Sequence, residues 1–293
     1  MMHLQTTVDR SASEIGEPVL ANSLGPDAAG VKRECSALMY HRVGPPRPGT
    51  PPALTVLPEE FERQIRRLVQ WGYIGIRPTD WLSWSNGSRQ LVRKPILITF
   101  DDAYADTADF ALPVILQYGF SAAVYVVTGR VGKTNTWDEA EGSAALNLMT
   151  EEQIRSWTKR GIEFGAHSRT HPDLTKLSAE ELEGEVAGSK QDLAFLLGAP
   201  VLSFAYPYGA YNQAVYNTVR KEFALAFTIQ EGMIRAHHDP HLLRRACVSP
   251  TTSSIEFAVD ARFGGGFKWL RDLRARLALR TRLARAIKWL TSS

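Results

Sequence analysis

Two adjacent carboxylates, Asp101 and Asp102, close an apolar run of strand length, Pro95-Ile-Leu-Ile-Thr-Phe. Four to eight apolar, β-branched or aromatic residues bounded by turn signals suit a strand buried on both faces. In parallel sheets and barrels the carboxyl end of such a strand is where ligands and reacting groups gather. Neighbours in an extended segment point to opposite sides, so the pair is expected to divide its labour between holding a cation and transferring a proton. Capping the following helix is the competing role for the same residues. Further along, Glu163-Phe-Gly-Ala-His167-Ser-Arg-Thr-His171 places two histidines four apart after a second apolar strand. A helical turn there would bring both rings to one metal ion, with Asp102 as third ligand. Two imidazoles, a carboxylate and an open position compose a catalytic divalent-metal site, for which zinc is the first choice and cobalt, nickel and manganese are compatible. A third stretch, Ser203-Phe-Ala-Tyr-Pro-Tyr-Gly-Ala-Tyr211, reads as a rigid turn with aromatic walls and backbone N–H groups that could face a ligand. Plain packing is the alternative for it.

The elements that must position these groups alternate. A first strand is expected over Ser36–Val43 and a helix from Pro58, with Phe61, Ile65, Leu68 and Val69 on one face, to a stop at Gly72. A short strand follows at Tyr73–Ile76. After the Asp pair come a helix over Asp106–Tyr118, despite Pro113, and a strand over Ser121–Val127. Thr150 with Gln153 forms a capping-box pattern for a helix ending near Gly161. Strands at Ile162–Ala166, Leu202–Tyr206, Ala224–Thr228 and Leu242–Val248 are interleaved with helices at Ser178–Leu197 and Asn212–Phe223, and a last helix covers Ser253–Phe263. No Gly-x-Gly-x-x-Gly and no phosphate-cradling loop accompanies them. The pattern points to a parallel α/β barrel, with a doubly wound open sheet still compatible.

The chain has 293 residues, 44% hydrophobic and 22% charged, enough for one large α/β domain with appendages. No stretch is long and apolar enough to span a bilayer. Residues 1–32 mix Asp, Glu, Ser, Gly and Pro without a basic start and an apolar block, and are expected to form a disordered leader rather than a secretory signal. Cys35 and Cys247 are expected to stay reduced. Residues 267–293 carry eight basic residues and one acid, so with a whole-chain charge of +3 the remainder is mildly acidic. A nucleic-acid enzyme would carry its basic footprint beside the catalytic domain, so nucleic acid is excluded as a partner.

Taken together, Thr99-Phe-Asp-Asp102, His167-Ser-Arg-Thr-His171 and Phe204-Ala-Tyr-Pro-Tyr-Gly209 resemble the motifs of the polysaccharide deacetylases, the fourth carbohydrate esterase family, over roughly Leu38–Phe263. The resemblance implies a distorted (β/α)₇ barrel over residues 33–266 and metal-dependent hydrolysis of acetyl groups on an aminosugar polysaccharide or its lipid-linked precursor. It also implies Asp101 as general base, Asp102, His167 and His171 as metal ligands, and the backbone N–H of Tyr208 as oxyanion donor. Three positions depart from the family pattern. Ala103 stands where many relatives have Gly, and Ala205 where many have an Arg that orients the catalytic Asp. The Leu-x-His whose histidine protonates the leaving amine is missing, and His237, His238 and His241 read as surface loop. Leu38-Met-Tyr-His-Arg-Val43 resembles the poly-N-acetylglucosamine deacetylase branch, which implies His41 as the acid. A sugar-binding or assembly protein on a degenerate barrel is the rival expectation. The tail 267–293, with Leu270, Leu273, Leu277, Ala284 and Ile287 at helical spacing and Trp269 and Trp289 near its ends, suits a helix in an anionic membrane interface. Docking on the barrel or a second subunit is its alternative. A cytoplasmic protein, peripheral at the inner leaflet, is the expected location.

Overall fold

The apolar runs become strands of one curled sheet in the computed structural model, which describes residues 34–47, 54–89, 94–137 and 145–265. The expected leader and the basic tail lie outside those residues. The strands are β1 (Glu34–Tyr40), β2 (Arg42–Val43), β3 (Thr55–Val56), β4 (Ile74–Ile76), β5 (Pro95–Phe100), β6 (Ala123–Val126), β7 (Glu163–Ala166), β8 (Ser203–Ala205), β9 (Leu225–Phe227), β10 (Ile234–Arg235) and β11 (Ala246–Cys247). The helices are α1 (Pro58–Gln70), α2 (Pro78–Ser85), α3 (Leu112–Gln117), α4 (Glu151–Lys159), α5 (Ala179–Leu197), α6 (Gln213–Glu222) and α7 (Ser254–Phe263).

Strands β1, β5, β6, β7, β8 and β9 follow one another in parallel, and β11 returns to pair in parallel with β1. A single parallel bridge, Phe227 to Leu243, joins β9 to the segment that leads into β11. This is the curled parallel sheet of a distorted (β/α)₇ barrel, and the open doubly wound sheet is set aside. The last strand, expected over Leu242–Val248, shrinks to two residues because its first half spans the gap with isolated bonds, Ala226 N–H to Pro240 O and Thr228 N–H to Leu243 O. The short antiparallel β10 and the helix α2 were not expected from the sequence.

Period-2 alternation decides which side chains enter the barrel. Ala37, Leu97, Ala123, Tyr125, Ala205, Leu225 and Phe227 point inward and pack with Trp81 and Trp84 of α2. Leu38, Tyr40, Ile96, Ile98, Phe100 and Phe164 point outward, under Phe61, Ile65 and Leu68 of α1, Ile154 of α4 and Val186 of α5. The interior pairs small with large residues: a Cβ on Gly165 would lie 2.4 Å from the Tyr125 ring. Helix α2 covers the amino ends of the strands, where Thr79 donates from N and Oγ1 to the Glu163 carboxylate at 3.2 and 2.6 Å. The opposite end carries Asp101, Asp102, His167 and His171.

Two helices differ from their expected form. On α1 Val69, expected on the packed face, is exposed, while Gln64 is buried and accepts from the Tyr40 hydroxyl at 2.9 Å. Before α3, residues Thr107–Ala111 form a wide π-type turn in which Leu112 N–H reaches Thr107 O. That widening lets the chain carry Pro113, which lacks an N–H and would clash with a carbonyl one turn back. Cys35 and Cys247 are not joined as a disulfide. Their strands adjoin, but Cys247 faces Met39, four residues along β1 from Cys35.

Candidate active site

Asp101 follows β5 with its N–H on Tyr40 O of β1 at 2.9 Å. The chain then leaves the extended conformation at once, with φ of 70° at Asp102 and 56° at Ala103. The expected separation of the two carboxylates to opposite sides of a strand is therefore replaced by a left-handed kink, and both face buried partners. Left-handed backbone at a non-glycine costs free energy and persists where surroundings over-determine it, a pattern common at functional sites. Here Met149 N–H holds Ala103 O at 2.8 Å.

His167 leaves the end of β7 with its N–H on Val126 O of β6. Its ring Nδ1 lies 2.7 Å from Ala205 O, so Nδ1 carries the proton and Nε2 is left as a ligand atom. The helical turn expected between His167 and His171 is absent. Instead Ser168 and His171 have φ of 61° and 64°, and Ser168 Oγ accepts from His171 N–H at 3.0 Å. This hooked loop still converges the rings, whose centroids are 4.8 Å apart. Both Nε2 atoms lie 3.5 Å from Asp102 Oδ1. The three residues are buried, and one ligand atom from each falls within 4.8 Å of the others.

This donor set fits a divalent ion. For metal–ligand bonds of about 2.0–2.1 Å a tetrahedron has edges of about 3.3 Å, close to the two observed separations. Burial lowers the His167 imidazole to about 4, against the opposing pull of Asp101. Burial, then the nearby His167, lowers His171 well below its ordinary value. Neutral imidazoles are what ligation requires.

Asp101 has a partner that the motifs did not reveal. Arg245, on the segment between β9 and β11, is wholly buried and donates from Nη1 and Nη2 to the two Asp101 oxygens at 2.6 and 2.8 Å. Its Nε donates to Thr228 O, Nη1 also reaches Thr99 Oγ1, and the guanidinium lies against the adjoining rings of Tyr125 and Phe227, 5.7 and 5.5 Å from their centroids. Burial pushes the Asp101 carboxyl up, but Arg245 and then His167 outweigh it and hold it at about 2. The missing Arg at Ala205 is thus no loss of support, since a carboxylate-orienting arginine arrives from the segment before β11. A signal existed: in Leu243-Arg-Arg245, alternation puts Arg245 on the face of Leu243, and a buried arginine demands an acid.

His41 sits half-buried between β1 and β2, its carbonyl held by Thr107 Oγ1 at 3.1 Å, within electrostatic reach of Asp101, His167 and His171. Next to it, Arg42 is buried and paired with Asp106, which fixes the strand end against the π-type turn. Tyr208 has φ of 58° and is about half exposed, with its ring edge-on to His171 at 4.5 Å. Trp137 stacks on the other side of His171 at 4.6 Å. The expected surface reading of the later histidines fails for His241, which is buried. Its Nε2 donates to Phe223 O, and Nδ1 is 3.3 Å from Asp239.

A curled parallel barrel that gathers two histidines and two aspartates at the carboxyl ends of its strands has the make-up of a hydrolytic centre. Comparison with known proteins makes the reading more specific. Residues 88–224 match the polysaccharide deacetylase family. YxkH of Bacillus subtilis is 26% identical over 221 residues, covering 75% of this chain and 73% of that one. The poly-β-1,6-N-acetyl-D-glucosamine N-deacetylase of Staphylococcus epidermidis is 23% identical, covering 67% and 68%. The structure of Streptococcus pyogenes deacetylase PplD in complex with acetate superposes with a TM-score of 0.67 at 26% identity, over 79% of this chain and 99% of that one. Residues 88–224 carry a polysaccharide deacetylase domain, and these similarities together support a deacetylase hydrolase.

Proposed function

We propose that the chain removes N-acetyl groups from a hexosamine-containing polysaccharide, or its lipid-linked precursor, by hydrolysis that depends on a divalent metal, zinc by first choice. The observation that carries this reading is the convergence of Asp102, His167 and His171 beside an Asp101 locked by Arg245. The name of the Staphylococcus epidermidis relative, an N-deacetylase of poly-β-1,6-N-acetyl-D-glucosamine, supports N-acetyl as the group removed.

When bound, a divalent ion at Asp102, His167 and His171 would polarise the acetyl carbonyl and lower the pKa of water. Asp101, ionised and aimed by Arg245, takes the proton of the attacking water. Tyr208 N–H, presented by the left-handed turn after β8, donates to the oxyanion as the carbonyl becomes tetrahedral. His41 gives a proton to the departing amine, which would otherwise leave as a strongly basic anion. Arg245 makes Asp101 a weaker base, and in exchange keeps it deprotonated and fixed in place. The half-exposed Tyr208, with Ile229 beside Gly209, offers the sugar an apolar rim. For the tail 267–293 we propose contact with an anionic membrane surface, supported by its eight basic residues and terminal tryptophans.

The test is acetate release from N-acetylglucosamine oligomers by the full chain. Release that a chelator abolishes and a divalent ion restores is expected. Release indifferent to chelator would contradict metal dependence, and release from O-acetylated sugars alone would contradict the N-acetyl assignment.

A further inference from the structure

The loop that carries His171 has no regular structure of its own and two left-handed non-glycine residues, Ser168 and His171. Such backbone needs outside support to stay in place. Helix α5 supplies it. Glu185 Oε2 accepts from the backbone N–H of Arg169 at 2.8 Å and of Thr170 at 2.9 Å, and Oε1 accepts from Thr170 Oγ1 at 2.6 Å. One charged carboxylate thus binds the whole middle of the loop. One turn on, a Cβ at Gly188 would lie 2.4 Å from Arg169 Cζ, so the guanidinium rests directly on the helix backbone. Beyond that, Asp192 takes the Arg169 fork at 2.8 and 2.9 Å and also accepts from Thr128 Oγ1 at 3.1 Å. From the loop after β6, Thr128 N–H and Gly129 N–H hold Ser168 O and Arg169 O.

Positions 185, 188 and 192 share one face of a helix. The helix itself is firmly set, capped by Ser178 with Glu181 and by left-handed Gly198, with Leu182, Val186 and Leu193 buried. A glycine inside it weakens it relative to alanine, so Gly188 is explained by the close approach of Arg169 and not by helix stability. We propose that Glu185 is a positioning residue for the metal centre: through Arg169 and Thr170, and with Gly188 and Asp192 as its supports, it holds His171 in the orientation that faces Asp102 and His167. This rests on the reading of those three residues as metal ligands.

The test is the zinc dissociation constant of the full chain, measured by competition with a chromophoric chelator, together with the visible spectrum of the cobalt-loaded protein. Glu185→Ala is expected to weaken zinc binding about 10- to 100-fold, the usual cost of losing a group that orients a ligand, and Gly188→Ala, which pushes Arg169 off its support, by less, on the order of threefold to 10-fold. Both should also alter the cobalt spectrum at saturating metal. Glu185→Gln keeps an acceptor for the two N–H groups and is expected to stay within about threefold of wild type, since it loses only the charge assistance. Gly188→Ala displaces only the far end of a flexible side chain and favours the helix, so this variant folds even where Glu185→Ala does not. A purely structural clasp predicts that metal-free Glu185→Ala melts lower than wild type while its zinc affinity and cobalt spectrum are unchanged. Wild-type affinity and spectrum in Gly188→Ala and Glu185→Ala would overturn the role of Glu185, whereas a wild-type chain that binds no metal would overturn the metal reading itself.

Discussion

Replacing Arg245 with methionine should uncouple the chemistry from the metal centre while leaving the fold in place. Methionine keeps an unbranched side chain against the rings of Tyr125 and Phe227 but removes both bonds to Asp101. Arg245 and Asp101 are each almost fully buried, at 0% and 2% exposure. Removing one partner of such a pair strands the other charge, at about 3–5 kcal/mol. The pH dependence gives a second handle. The Asp101 carboxyl lies at about 2 against an ordinary 3.8, a depression equivalent to about 2.4 kcal/mol. A depressed carboxyl stabilises the folded chain above its unfolded pKa and loses that contribution as pH falls through the folded value. The gap between wild type and variant in the metal-free protein should therefore be widest at neutral pH and shrink as pH falls, first as the stranded Asp101 of the variant takes up its proton and then by about 2 kcal/mol between pH 4 and pH 2 as the wild type loses its own contribution. Urea unfolding across that range measures it, with kcat/KM at pH 7 expected to fall about 10²-fold or more as Asp101 takes up a proton and loses its aim. A variant within about 0.5 kcal/mol of wild type at neutral pH, with unchanged kcat/KM, would refute the reasoning.

Three further outcomes are expected. Asp101→Asn and His41→Ala should each retain the metal and lose turnover by about 10²-fold or more, since each deletes a proton-transfer group and no ligand; normal turnover in His41→Ala would remove His41 from the mechanism. On α7, burial, with Glu256 adding to it, raises the Asp260 carboxyl to about 7. A raised carboxyl penalises the folded state increasingly as pH climbs from about 4 through about 7, so Asp260→Asn should be stabilising at pH 8, by at most on the order of 4 kcal/mol, and neutral at pH 4. Thermal melting at the two pH values checks this, and equal shifts at both would contradict it. Lastly, the full-length chain should co-sediment with anionic vesicles in low salt while a chain ending at Gly266 does not, and metal content should be the same in both. Equal sedimentation would favour docking of the tail on protein.

Most of the barrel could be read from the sequence because its strands are short apolar runs and its helices announce their ends, as at Thr150 with Gln153 and Ser253 with Glu256. What alternation could not convey was closure, which depends on single bonds from an irregular segment, Ala226 to Pro240 and Phe227 to Leu243. The same segment delivers Arg245, whose partner is 144 residues away, and no local pattern encodes a contact at that range. At the site, residue types and order were legible, but the backbone that converges them was not. The positive φ values at Asp102, Ala103, Ser168 and His171 fall on non-glycine residues, so the usual sequence mark of a left-handed turn is missing. The expected helical turn between the histidines failed for that reason. It is replaced by a loop held from α5, where Glu185, Gly188 and Asp192 look like ordinary surface-helix residues until their partners are known.

The central claim is that Asp102, His167 and His171 hold one divalent ion. Metal content after exhaustive dialysis, measured by elemental mass spectrometry on wild type and on each alanine variant, tests it most directly. About one zinc or related ion per chain is expected in the wild type, with sharply lower content in Asp102→Ala, His167→Ala and His171→Ala. Stoichiometric metal retained by all three variants would contradict it.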